Sequence, residues 1–232
     1  MSNGIILYKG PSLLDGKPIV AIATGLQSGS INRKTGSVVQ TWIIREDVKP
    51  HLALKSGDDA SVCGDCKHRP ANNGACYVQV AWAPLAVYNA YVKGGYTGED
   101  VVAAGRNKGI RIGSYGDPAA VPISIWKAFS KESSFVLGYT HQWKICDPEL
   151  KTLCMASVDS EQEAEEATRM GCRYFRVKRT DSPRNKELVC PASEEKGKVL
   201  TCEKCKACGG LSSKSTSNVV INIHGVSKNK FK

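Results

Sequence analysis

The stretch IRIGSYGDPAAVPISIWKAFSKESSFVLGYTHQW, Ile110 to Trp143, decides the fold. A short β-rich run ends in Gly and Asp. Pro122 then opens a helical stretch, PISIWKAFSKE, and a second β-rich run, FVLGYTHQW, comes after it. Strand, helix, strand at this spacing predicts a right-handed β-α-β unit and parallel pairing. The pattern continues in both directions. Upstream, Pro84 opens a helix, PLAVYNAYVKGG, with Val87, Tyr88, Tyr91 and Val92 on one face. Downstream, TLCMASVD reads as the next strand. Ser160 and Glu163 have capping-box spacing, Ala164 and Ala167 share a helix face, and Gly171 is a stop signal. CRYFRVK reads as the last strand.

The fold class is therefore α/β, with about four parallel strands, which makes a partial (half) β/α barrel or an open parallel sheet and falls short of an eightfold barrel. Before it, PIVAIATGL and SVVQTWIIRE read as strands joined by the turn residues of SINRKTG, an N-terminal β-hairpin. Three regions are expected: 1–50 as the hairpin, 51–180 as the α/β core, and 181–232 as a Cys-rich metal-binding segment with a basic tail. No internal repeat is visible.

The 232 residues, 41% of them hydrophobic, suffice for a real core, and the net charge of +10 favours polyanionic partners such as nucleotides or nucleic acid. A solvated basic surface is the plainer alternative. No leader is visible and no stretch approaches a membrane span. A cytoplasmic location is expected, in the host if the chain is phage-encoded. In a reducing compartment clustered cysteines favour metal or redox chemistry over disulfides.

Two cysteine groups stand out. Cys63, Cys66 and Cys76 follow C-x2-C-x9-C, with His68, Asp65 or an external group as a fourth ligand. Cys190, Cys202, Cys205 and Cys208 offer four thiolates, which suit tetrahedral zinc or an iron–sulfur cluster. Cys146, Cys154 and Cys172 lie on or near apolar strands and read as buried hydrophobes. In parallel sheets ligands sit at the carboxyl ends of the strands. Three such ends are polar: GSYGD, YTHQW and ASVDS. They supply Asp117, His141 and Asp159 as candidate catalytic residues, although Asp117 and Ser160 also suit helix caps. Tyr115, Tyr139 and Trp143 could stack on a base there.

These pieces resemble the radical S-adenosylmethionine superfamily, near the spore photoproduct lyase branch and its phage relatives. The resemblance rests on a three-cysteine loop ending in Cys76-Tyr77, a following helix, and the strand end GSYGDP. It implies that Cys63, Cys66 and Cys76 hold a [4Fe-4S] cluster. It implies that Gly113, Ser114, Tyr115, Gly116 and Asp117 face S-adenosylmethionine, and that the later cysteines hold a further cluster. The family's usual C-x3-C-x2-C is replaced here by C-x2-C-x9-C. The implied function is a radical-type enzyme acting on a nucleotide or nucleic-acid-linked substrate. The alternative is a phage or plasmid replication-associated protein that binds nucleic acid without catalysis and is stabilised by Zn2+ at one or both cysteine groups.

Other chemistries lack their signatures. No Gly-Lys-Ser/Thr phosphate loop, Gly-x-Ser-x-Gly elbow or deaminase pair is present. Helix-turn-helix, C2H2 finger and single-strand stacking motifs are missing as well.

Overall fold

The computed structural model describes residues 3–28, 34–98, 100–179, 183–184, 186–193, 197, 200–225 and 227–231. The two β-branched runs near the amino end form β2 (Pro18–Thr24) and β3 (Val39–Arg45), paired antiparallel from Ile19↔Arg45 to Thr24↔Gln40. An additional strand, β1 (Gly4–Pro11), pairs antiparallel with β2. On its other side β3 begins a parallel run. It meets β4 (Gly109–Tyr115), then β5 (Phe135–Thr140), β6 (Met155–Val158) and β7 (Tyr174–Lys178). β9 (Asn218–Asn222) lies beside β7, and β8 (Glu187–Val189) lies outermost.

The result is a mixed α/β fold with one nine-stranded sheet, order β1-β2-β3-β4-β5-β6-β7-β9-β8, parallel from β3 onward. The four core strands read from the sequence are β4 to β7. The parallel run is longer than about four strands because β3, β8 and β9 join it. β8 has three residues and β9 five, too short to separate from their polar surroundings by pattern.

Helices cover the sheet: α1 (Pro50–Ser56), α2 (Ala60–Cys63), α3 (Ala83–Val92), α4 (Val101–Gly105), α5 (Ile123–Ser130), α6 (Glu161–Arg169) and the single turn α7 (Cys202–Cys205). None of them is long and apolar enough to cross a membrane. α5 drives Trp126 and Phe129 fully into the core against Ile110 and Ile112, and the Trp126 indole donates to the Pro118 carbonyl at 2.9 Å. Burying such side chains contributes roughly 1.5–3 kcal/mol each. Of the face expected for α3, Val87 and Tyr88 are buried, while Val92 ends the helix exposed.

Alternation along the strands gives the sheet a second apolar face, built on Leu137, Met155, Val219 and Ile221. Cys190, Ala192, Ala207 and Cys208 cover it, with Cys202 and Cys205 partly buried against them. Arg173, just before β7, ties down the chain between Ala207 and Ser217. Its guanidinium donates to the carbonyls of Gly209 at 2.6 Å, Gly210 at 3.2 Å and Ala207 at 2.9 Å, and to that of Ser217. One buried cation thus replaces the regular hydrogen bonding that a Ser- and Gly-rich stretch does not supply for itself.

Candidate metal centre

The carboxyl edge of the parallel strands gathers His141, just after β5, and Asp159, just after β6. His68 joins them from the loop between α2 and the 3-10 turn Pro70–Asn72. One ligand atom from each of the three lies within 4.8 Å of the others. Among the described residues this is the only set of three His, Cys, Asp or Glu side chains so placed.

Each member is held by local chemistry. Asp159 precedes α6. Ser160 caps that helix by accepting from the Glu163 N–H at 3.1 Å, and the Glu163 carboxylate reaches back to the Asp159 N–H at 2.7 Å. The capping box read from the sequence thus also fixes the backbone of Asp159. The Asp159 side chain is only 2% exposed. Its Oδ2 meets His68 Nε2 at 2.8 Å and Lys67 Nζ at 3.2 Å, while its Oδ1 is buried with no partner. Burial alone would raise its pKa. The hydrogen bond and charge of His68, with His141 and Lys67, reverse that and hold the carboxyl below its ordinary value.

His141 is positioned by Asp117. The Asp117 carboxylate accepts from the His141 N–H at 2.7 Å, the Thr140 hydroxyl at 2.7 Å and the Ala119 N–H at 3.0 Å. Its own N–H donates to the Val62 carbonyl at 2.6 Å. Asp117 is thus the cap of the 3-10 turn Pro118–Ala120 and also a brace between the ends of β4 and β5. Burial raises its pKa, opposed by the His141 charge. Burial lowers the pKa of His141, opposed by Asp117 and Asp159. A neutral imidazole is the form that ligates metal. The His68 and His141 rings meet edge to face, centroids 5.6 Å apart.

The orphaned Asp159 Oδ1 is a buried acceptor that only a cation or a donor would satisfy. Two imidazoles and one carboxylate form a donor set with free positions, suited to zinc or ferrous iron.

The cysteine readings are overturned by the same geometry. No three sulfurs of Cys63, Cys66 and Cys76, nor of Cys190, Cys202, Cys205 and Cys208, come within mutual reach of an ion. The [4Fe-4S] cluster, the zinc alternative at these groups, and the radical-type function built on them are therefore corrected to a single His2Asp centre. The first three thiols line the loop that carries His68. Burial raises all three, Cys66 to about 12. The later four line one small cavity on the second face of the sheet. Cys190 and Cys208 sit in the apolar cluster on the second face of the sheet, and the Gly138 N–H donates to the Cys208 carbonyl at 3.0 Å.

The role of Gly113 to Asp117 toward S-adenosylmethionine falls with the cluster. Close packing explains the glycines. A Cβ on Gly116, at φ +82°, would lie 2.6 Å from the Ile43 carbonyl oxygen; one on Gly113, at φ +73°, would lie 2.9 Å from the Gly116 carbonyl oxygen. Ser114 bonds Gln40 at 2.7 Å, and Tyr115 is buried. Trp143 is buried too, and Tyr139 packs on Phe175 with centroids 4.6 Å apart. Cys146, Cys154 and Cys172 line a cavity of about 110 Å³ that none of the three centre residues borders.

His141 and Asp159 are legible as strand-end residues. His68 is visible in the sequence only as a spare ligand for the cysteines, because its meeting with Asp159 spans 91 residues. No family model matches the chain, and no curated protein or solved structure matches it.

Proposed function

We propose that the chain is a metal-dependent protein whose His68, His141 and Asp159 hold one divalent transition-metal ion. The observation that carries this reading is the convergence of three ligand atoms at the carboxyl edge of the sheet, one of them on a carboxylate whose second oxygen is buried and unpaired. We read the sheet as a partial barrel with this edge as its mouth. Three protein ligands leave positions for water or a ligand oxygen, the arrangement of reactive rather than closed structural sites. When bound, the metal would supply Lewis-acid polarisation of such an oxygen.

The ligand proposed for the open side carries phosphate, as a nucleotide or a nucleic-acid strand. Supporting this are the net charge of +10 and the cations near the centre. Lys67 contacts Asp159, Arg179 holds the backbone of Phe231 beside His68, and Lys228 and Lys230 lie exposed in the adjoining turn. Phosphate contacts by such side chains give affinity without base readout.

Cobalt titration of the metal-free full-length chain tests the centre. One Co2+ per chain with a nitrogen- and oxygen-ligand spectrum is expected, lost in His141→Ala and in Asp159→Asn and kept in Cys205→Ser. Equal Co2+ binding by wild type, His141→Ala and Asp159→Asn would refute it. Anisotropy with a labelled mononucleotide and a labelled oligonucleotide, at two salt concentrations with and without metal, then separates the two phosphate sources.

A further inference from the structure

The segment after β9 lies over the centre in an unusual way. It leaves the sheet at Gly225, at φ +88°, where a Cβ would lie 2.9 Å from the Tyr77 side chain. The neighbouring His224 ring rests on Tyr77, centroids 5.2 Å apart. One 3-10 turn, Lys228–Lys230, comes next, and Phe231 then drops onto His68. The two rings are parallel, 9° between planes, with centroids 5.5 Å apart. Phe231 is only 5% exposed, while the turn before it is exposed.

The turn's own backbone bonds are local: Lys228 to Gly225 at 3.2 Å, Lys230 to Ser227 at 2.9 Å and Phe231 to Lys228 at 3.2 Å. Among the described residues, its hydrogen bonds to the rest of the molecule come from one guanidinium. Arg179 donates to the carbonyls of Asn229 and Phe231. Among the described residues the segment makes no strand pairing. A glycine pivot, a short turn, one aromatic ring in a slot and one latch are the parts of a hinged cover.

We infer that Gly225 and residues 227–231 form a displaceable plug, with Phe231 closing the flank of His68 and Arg179 as its latch. Its consequence for metal entry rests on the metal-centre reading; its existence does not. With the plug seated, only the fraction of molecules with it open admits an ion. The apparent affinity and association rate are reduced by that fraction.

The test uses the full chain with Phe231→Ala, Arg179→Gln and Phe231→Trp. The first readout needs no metal: the rate of diethylpyrocarbonate modification of His68, followed by mass spectrometry. Both opening variants should raise that rate about tenfold, as expected when a local closed state is lost, and Phe231→Trp should restore protection. The second readout is Co2+ association by stopped flow, which should quicken by a similar factor in the same two variants.

An unchanged His68 rate in both Phe231→Ala and Arg179→Gln, with circular dichroism showing both folded, overturns the plug. Faster modification with no Co2+ binding in any protein keeps the plug and removes the metal centre. Faster modification with unaltered Co2+ association overturns its role as a gate. Arg179→Gln removes the latch without truncating the aromatic side chain, so it guards against misfolding of Phe231→Ala.

Discussion

Asp159 carries the most chemistry for its size. It is a buried carboxylate with one oxygen bonded and the other orphaned, a state that costs about 1–3 kcal/mol when no partner arrives. Its depressed pKa shows that the charged form is nonetheless favoured by His68, His141 and Lys67, so Asp159→Asn should lower the stability of the metal-free protein at neutral pH, while Co2+ affinity falls roughly a hundredfold or more. Thermal melting with and without metal reads both quantities. Gly116 makes a different case. Its φ of +82° and the 2.6 Å approach to Ile43 leave no room for a methyl group. Gly116→Ala should destabilise by about 1–3 kcal/mol whether or not metal is present, measured by urea unfolding. The glycines of GSYGD are conspicuous in the sequence, but a cofactor loop and a close crossing of two strands ask for the same residue. Only the position of Ile43 separates them, and that lies in another strand.

Among the elements, the Ser160–Glu163 pair is readable because a cap is written within four residues of chain. Ser160→Ala should cost about 1 kcal/mol by removing the cap of α6, and should also loosen Asp159, so that metal affinity drops with it. Equal stability in urea with unchanged Co2+ affinity would show that α6 needs no such cap. β7 and β8 hold a pair that no local pattern announces. Arg176 and Glu187, with side chains 2% and 0% exposed, bond at 2.7 Å. Burial pushes the Glu187 carboxyl up, but Arg176 and the Arg184 N–H together bring it below the usual 4.5. A depressed carboxyl stabilises the fold above its ordinary pKa, and that stability drains away as pH falls through the lowered value. The melting temperature of wild type should thus fall on acidification below about pH 4. Glu187→Gln should lose about 1–3 kcal/mol at neutral pH by removing the charged acceptor of two Arg176 hydrogen bonds. It should also show a flatter acid limb. A parallel loss in both proteins would mean other carboxylates govern the acid transition.

Across the whole molecule, the α/β class, the amino-terminal hairpin and strands β4 to β7 can be read from periodicity and punctuation, because each is specified by its own residues. The metal centre is only half legible. Strand topology says where polar ends collect, which points to His141 and Asp159, but it does not say which loop will fold across them. The cysteines mislead for a physical reason. A thiol packs as a small hydrophobe as readily as it binds metal, and spacing alone does not distinguish the two. Here Cys190 and Cys208 pack with Leu137 and Val219. Truncation tests the scale of this packing. Removing residues 218–232 should abolish cooperative unfolding of the carboxyl third, since β7 and β8 would each lose their shared neighbour. Hydrogen exchange in β8 against β2 measures it: retained protection of β8 in the truncated chain would show that it is held independently.

The strand order has a consequence for how the chain is made. β8 leaves the ribosome before β9, yet β9 lies between β7 and β8 in the finished sheet. Until β9 emerges, the β7 edge from Tyr174 to Lys178 is an unpaired template in a growing chain. A product stalled between β8 and β9 would therefore expose a sticky edge, which closes only when β9 arrives.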